Sequence, residues 1–372
     1  MLLDELDFDI PEELIAQEPA EPRDSCRLMH LRADGEHGHS RFSDLPGLLR
    51  PGDLLVFNDS RVLPARVRAH KPTGAGVELL FLRPCLRPDD AVGAEDGPGE
   101  AWEALARPSH RLRPGGELAL PGGETVVLVE LLGEGRWVVE AAPGCSLVAV
   151  MEKHGLLPLP PYIKTYPKEA SSYQTVYAAV PGSAAAPTAG LHFTPALLER
   201  LAKEGVKAAY VTLHVGLDTF LPIRERVVED HRIHRETYSA PAEAVRSIRA
   251  ARQAGDRVVA VGTTATRVLE TLAHTGALEA SPDGSPVGGS TEIFITPGYR
   301  FEAVDALITN FHLPRSSVLA LTMAFAGAER LRHAYAEALA LEYRFFSFGD
   351  AMLIDTPAGG RAGCVGERSA NA

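Results

Sequence analysis

No apolar run in the 372-residue sequence approaches the roughly 20 residues that span a bilayer. The start, Met1-Leu2-Leu3-Asp4-Glu5-Leu6-Asp7, has neither the basic opening nor the apolar centre of a secretory signal. A soluble, unexported, cytoplasmic protein is therefore expected. Cysteine is scarce: Cys26, Cys85, Cys145 and Cys364 are scattered with no paired spacing, which argues against a zinc ribbon, a dithiol redox centre or a disulfide framework. Positive charge is in deficit, with 37 Lys and Arg against 49 Asp and Glu and a formal net charge of -12. A polyanion would be repelled by the molecule as a whole, so any nucleic acid must meet a local basic surface. Also missing are Gly-x-Gly-x-x-Gly after a strand, the phosphate loop Gly-x-x-x-x-Gly-Lys-Ser/Thr and the Gly-x-Ser-x-Gly elbow. Common dehydrogenase, nucleotidase and serine-hydrolase readings lose support with them.

What is present can bury at least one large core, since 45% of residues are hydrophobic. From Asp9 to Arg61 the pattern mixes a short helix after Ile10-Pro11, a strand near Arg27 to Leu31, a helix near Leu45 to Leu49 and a strand Leu54 to Phe57. Between about Val62 and Ala142 the character changes. Short alternating runs at Val62 to Ala69, Val77 to Leu82, Ala101 to Ala106, Glu117 to Leu120, Thr125 to Leu131 and Arg136 to Ala141 are separated by Gly/Pro turns, the spacing of a small barrel. Pro88 to Glu100 reads as a mobile loop and Gly359 to Ala372 as a frayed tail. Beyond Ala142, helices at Leu147 to His154, Glu243 to Ala254, Thr264 to His274, Pro314 to Ala326 and Ala328 to Glu342 alternate with strands at Val206 to Val215, Arg257 to Val261, Glu292 to Thr296, Val304 to Phe311 and Phe345 to Ile354. The expected fold is α/β: a mixed sheet with flanking helices, plus an inserted small antiparallel β-barrel. Residues 1–61 and 143–372 would form a discontinuous catalytic domain and 62–142 the inserted barrel.

Chemistry collects at the ends of strands. Gly182 to Thr194 carries almost no bulk and precedes a firm helix start, with Thr194 as cap and Pro195 in the first turn. Small residues there let a ligand approach the backbone, free amides favour a carboxylate or phosphate, and His192 adds a titratable group. A surface loop with one satisfied histidine is the competing reading. Gly262-Thr263-Thr264 sets hydroxyls and amides at another helix start, where plain capping competes with ligand binding. Asn310, His312 and Arg315 follow a strand, where open α/β sheets bind ligands. Asn58-Asp59-Ser60-Arg61 stands at the joint with the barrel, as either a turn or a cleft wall. His214 ends a further strand. His234, Glu236 and Tyr238 alternate on one face, and a His/Glu pair with no third ligand at metal spacing fits acid/base work or substrate contact better than metal binding. Arg61, Arg66, Arg68 and Lys71, and Arg107, Arg111 and Arg113 with His110, are the two basic stretches, either solvated faces or the surface a nucleic acid would need.

Taken in order, these segments resemble the S-adenosylmethionine:tRNA ribosyltransferase-isomerase family of queuosine biosynthesis. The likeness runs through Phe8-Asp9-Ile10-Pro11-Glu12-Glu13-Leu14-Ile15-Ala16, Val56 to Val62, Ala185 to Thr194, Leu213-His214-Val215-Gly216, Val261-Gly262-Thr263-Thr264, Asp305 to Pro314 and Tyr343 to Met352. Departures are small: Asp218 where a small residue is frequent, Arg315-Ser316-Ser317 in place of Lys-Ser-Thr, and Phe348 in place of Tyr.

The resemblance implies an active site at the interface of the α/β domain and the barrel. It also implies a reaction that moves and isomerises the ribosyl part of S-adenosylmethionine onto 7-aminomethyl-7-deazaguanine at the tRNA wobble position, giving epoxyqueuosine, adenine and methionine. S-adenosylmethionine is then a co-substrate, no metal is implied, and the acidic surface fits a monomer with no obligatory protein partner. His192 is the base candidate, with His312 or Glu236 as alternative proton carriers. Gly190, Phe193, Thr194, His214, Gly262, Thr263, Thr264, Asn310, Phe346 and Asp350 are expected near the donor. Asn58, Asp59, Ser60, Arg61, Arg66 and Arg315 are expected near the anticodon loop. Two rivals share ligands with this reading. A tRNA methyltransferase would need a glycine-rich cofactor loop, and a non-catalytic RNA-binding barrel would leave the His, Asn and Thr junctions without a purpose.

Overall fold

Three strands of the chain are apolar on both faces and entirely buried: β3 (Leu54–Asn58), β14 (Val258–Val261) and β16 (Ala306–Asn310). Only a sheet covered by helices on both sides satisfies such runs. The computed structural model, which describes residues 1–85, 100–167, 169–216, 222–280 and 285–356, places them at the centre of a nine-stranded sheet. In chain order the remaining strands of that sheet are β1 (Arg27–Leu31), β2 (His37–Arg41), β12 (Lys207–Leu213), β13 (Glu236–Ala240), β15 (Val287–Thr291) and β17 (Ala351–Asp355). The order across the sheet is β15-β13-β12-β3-β14-β16-β17-β1-β2. From β12 to β16 neighbours run parallel, and pairing is antiparallel at β12/β13, β13/β15, β16/β17 and β1/β2. The carboxyl ends of β12, β3, β14 and β16 therefore lie along one edge.

Alternation along the central strands feeds two cores. Leu54, Val56, Val258, Ala260 and Leu307 pack with the helices α3 (Ala242–Ala254), α4 (Gly262–His274), α5 (Ala277–Ala280), α6 (Ser317–Ala326) and α7 (Ala328–Ala340). Leu55, Phe57, Val259, Val261 and Ile308 pack on the other face with Phe42, Phe193 and α2 (Pro195–Lys203). Each of the Leu, Val, Ile and Phe side chains contributes about 1.5–3 kcal/mol through burial. Thr194 caps α2 by accepting from Leu197 N at 3.2 Å, with Pro195 in the first turn.

The barrel has its own core. Strands β5 (Arg66–His70), β6 (Gly76–Pro84), β7 (Ala101–Arg107), β8 (Glu117–Ala119), β9 (Thr125–Gly133) and β10 (Arg136–Ala141) close in the order β10-β7-β6-β5-β8-β9. Val67, Leu79, Phe81, Trp102 and Trp137 fill it together with Leu147, Val150 and Met151 of α1 (Leu147–His154). The Trp137 indole donates to Ser109 Oγ at 3.0 Å, which satisfies its only polar atom. Helices and a mixed sheet plus a closed antiparallel barrel are the architecture expected from the sequence.

Differences have local causes. The run Val62 to Ala69 divides, because Pro64 cannot donate to a ladder. Its first part joins β4 (Ser60–Val62), which pairs in parallel with β11 (Val180–Ser183) as a separate two-stranded sheet. The strand expected over Glu292 to Thr296 lies earlier, at β15, whose glycines show no side-chain pattern and whose pairing with the β13 edge sets its place. The helices expected near Pro11 and Leu45 are short 3-10 turns, Glu12–Leu14 and Phe42–Gly47, the latter containing Pro46. The helix expected from Pro314 begins at Ser317, with Ser316 as cap and Arg315 at φ +54 breaking continuity. Asp218, Cys364, the tail Gly359 to Ala372 and all but Glu100 of the loop Pro88 to Glu100 lie outside the described residues.

Candidate active site

The edge shared by the parallel strands opens into a cleft of about 570 Å³, counting its solvent-open mouth. Its walls come from the turns that follow β11, β14 and β16, and from Tyr162, Phe346 and Ser347. On one side Ala186, Pro187, Thr188 and Ala189 present little bulk. On another, α4 starts directly at the end of β14, and the turn needs Gly262, whose φ is +90. Asn310 and His312 follow from β16, two and four residues past the Ile308 that pairs with Val261. Phe346 is held at φ +70, a strained conformation for a residue with a side chain, and its N–H donates to Phe311 O at 3.0 Å. Its ring lies 4.7 Å from that of Tyr162, whose hydroxyl is 2.7 Å from Ser347 Oγ.

Behind this wall the polar groups hold one another. Asn310 Nδ2 donates to Phe346 O at 3.1 Å and to His192 Nε2 at 3.0 Å, while its Oδ1 accepts from Thr188 Oγ1 at 3.2 Å. With Nε2 accepting, neutral His192 carries its proton on Nδ1, 3.2 Å from Cys26 Sγ. Burial pushes the His192 pKa down to about 3, and raises the Cys26 thiol out of the range where a thiolate forms. His312, partly exposed at the cleft, is likewise lowered to about 3 by desolvation. Its Nε2 lies 2.7 Å from Thr309 Oγ1, and its Nδ1 has no hydrogen bond among the described residues.

A second cleft adjoins the first through Thr263, Thr264 and Val318. Glu236 and Arg267 form a buried ion pair on its wall. Glu236 Oε1 also accepts from Gly216 N at 2.9 Å. Arg267 Nε donates to Ile293 O at 3.3 Å, and burial lowers the guanidinium pKa to about 10. Among the described residues, Arg267 Nη2 and Thr264 Oγ1 are buried polar atoms without a hydrogen-bond partner.

Of the residues singled out in the sequence, Gly262, Thr263, Thr264, Asn310, His312 and Phe346 meet at the first cleft, and His234 and Glu236 line the second. His192 stands one layer behind, supporting Asn310. Gly190 is packed under Tyr177, Phe193 is wholly buried between Phe42 and Phe57, and Thr194 donates to Asp24 while capping α2. Asp350 accepts from the backbone N–H groups of Arg27 and Arg344 and ties β1 to the loop before β17. Asn58 clamps β3 to β12 through Leu213 N and O. Asp59 accepts from Thr212 Oγ1 at 2.7 Å, and burial raises its pKa. Ser60 N donates to Asn58 Oδ1, and the His214 ring packs against Gly182. Arg61 pairs with Glu152, Arg66 faces Glu78 at 3.9 Å, and Arg315 pairs with Asp7.

Among the described residues, no barrel strand contributes a wall to either cleft. Among those same residues one trio of metal-type donors occurs, His37, His333 and Glu337, and none of its members lines a cleft. Arg267 escaped notice in the sequence. Its signal is a stripe on α4, Thr263, Thr264, Arg267 and Thr271, polar yet entirely buried.

A strand-end cleft under helix starts, with a barrel carried separately, is the arrangement of α/β enzymes, a class in which small ligands bind at the sheet edge. The chain belongs to the queuosine biosynthesis protein family, whose model matches residues 3–354. It is similar to the S-adenosylmethionine:tRNA ribosyltransferase-isomerases of Rubrobacter xylanophilus, 52% identical over 355 residues covering 95% of this chain and 98% of the relative, and of an Anaeromyxobacter species, 50% identical over 357 residues covering 95% and 99%. A solved structure of S-adenosylmethionine tRNA ribosyltransferase from Thermotoga maritima is 37% identical, with a TM-score of 0.52 and coverage of 94% of this chain and 99% of that one.

Proposed function

We propose that the chain transfers and isomerises the ribosyl moiety of S-adenosylmethionine onto 7-aminomethyl-7-deazaguanine at the tRNA wobble position. The products are epoxyqueuosine, adenine and methionine. The observation that carries this reading is the convergence of Gly262, Thr263, Thr264, Asn310 and His312 on one cleft at the strand ends, inside a chain of this family.

The sulfonium acidifies the adjacent C5′ hydrogen, so the protein must supply an acceptor for that proton and order around the sugar. His312 fits the first need. Neutral at physiological pH, it can donate Nε2–H to Thr309 Oγ1 and leave Nδ1 as the proton acceptor. His192 is then a positioning residue, fixing the Asn310 amide against the sugar or base. Tyr162 and Phe346 offer ring faces for adenine, and the Thr263 and Thr264 hydroxyls with the α4 amides offer partners to ribose oxygens. As adenine leaves it must gain a proton. The amine of the modified base loses one as it bonds to C1′, and epoxide closure expels methionine.

The tRNA meets the barrel in this reading. Arg68 and Arg107 flank Glu78 across three neighbouring strands, and Lys71 Nζ donates to Arg111 O at 3.0 Å, so the two basic stretches form one exposed surface. Such a patch offsets the net charge of -12 locally. The wobble base must leave its stack to reach the sheet edge. We read the protein as a cytoplasmic monomer with the barrel inserted at 62–142, working without a metal. Adenine should appear when the protein is mixed with S-adenosylmethionine and aminomethylated tRNA, and not with unmodified tRNA. S-adenosylhomocysteine and a methylated tRNA in its place would sink the proposal.

A further inference from the structure

The second cleft combines apolar walls with one incompletely satisfied buried cation. Ile233, Phe294, Ile295 and Leu321 line it, and Arg267 reaches it from α4 with only 7% of its surface exposed. The guanidinium fork is fixed on two sides, by Ile293 O at Nε and by Glu236 at Nη1, while among the described residues Nη2 has no acceptor. A buried donor of this kind is costly to leave unmade and is most readily completed by an anion. Arg donates to carboxylates in a planar geometry that Glu236 already uses on one side. The passage at Thr263, Thr264 and Val318 joins this cleft to the one assigned above to the adenosyl group.

Resting on that assignment, we infer that the second cleft binds the methionine end of the donor, with Arg267 Nη2 holding the α-carboxylate and the apolar walls holding the side-chain methylenes. Arg267 is thus a substrate-binding residue, and Glu236 positions it rather than carrying a proton. The helix start at Gly262 is left to the ribose.

Equilibrium titration of the full chain with S-adenosylmethionine and with its decarboxylated analogue tests this directly. The analogue should bind about 10- to 100-fold more weakly, the loss of one charge-assisted hydrogen bond. Arg267→Lys should weaken binding of S-adenosylmethionine by a similar factor and raise its KM more than it lowers kcat, yet change binding of the analogue less than about threefold. Equal binding of the two ligands by the unaltered protein overturns the inference, as does an equal loss for both in the variant. The ligand comparison needs no variant, so misfolding of Arg267→Lys cannot shelter the idea. Carboxylate-dependent binding without adenine release would refute the transferase reading and leave this site standing; adenine release without carboxylate preference would do the reverse.

Discussion

At the sheet edge polar side chains are buried and hold one another, whereas the basic side chains Arg68, Arg107, Arg111 and Arg113 of the barrel face water. Asn310 has three partners within 3.2 Å, and Glu236, paired with Arg267, accepts from Gly216 N at 2.9 Å. Those barrel charges are exposed around an apolar core. Buried networks set geometry and lose much when one member goes, while exposed charges act through a screened field and are individually weak. In the proposed function, chemistry that needs orientation falls to the edge and attraction of the tRNA falls to the barrel.

The largest expected effect separates these roles. His312→Ala should lower adenine release about 10²- to 10⁴-fold while leaving tRNA affinity near normal. Turnover within about threefold of the unaltered enzyme would remove His312 from proton transfer and blur the contrast between the two regions.

Packing at the edge should be nearly as unforgiving. A Cβ on Gly190 would meet Tyr177 Oη at 1.9 Å and Thr175 Cγ2 at 2.8 Å, so Gly190→Ala should cost about 1–3 kcal/mol, read as a lowered thermal midpoint. No change would mean that the wall behind the cleft repacks freely.

Acid should expose the difference too. His192 titrates near 3 in the folded chain against about 6.5 unfolded, so the unfolded state binds the extra proton. The stability it contributes is complete above pH 6.5 and drains away as pH falls toward 3. Between pH 7 and 5.5 the loss is roughly 1 kcal/mol, with a similar share from His312. Urea unfolding of His192→Gln should show a shallower fall over that range; an identical slope would contradict the burial argument.

The mildest expected effect lies on the barrel. Arg107→Glu or Arg111→Glu should weaken tRNA binding and reduce its salt slope by about one for each phosphate no longer neutralised, without altering binding of S-adenosylmethionine. An unchanged slope would move the RNA elsewhere.

Much of this was legible beforehand. The switch from helical to two-residue periodicity marked the barrel, and the Thr194 and Pro195 signals marked α2, because caps and alternation are local. The sites were less legible. Thr194, Phe193 and His192 share the low-bulk segment with Ala186 to Ala189, yet only the latter line the cleft, since a 3-10 turn at Thr188–His192 carries the rest behind it. Arg267 sits mid-helix, where sequence favours a solvated face, yet the fold buries it against Glu236 of β13 and the segment after β15, whose Ile293 O accepts from it.

Composition and pattern by themselves determined the class of fold, the separate barrel and the strand ends that line the clefts, because these follow from periodicity and turn chemistry within a few residues. Which polar groups share a cleft, which histidine faces it and which cation is left with an open donor were decided by tertiary structure alone, because parallel strand register and helix packing join residues more than a hundred positions apart.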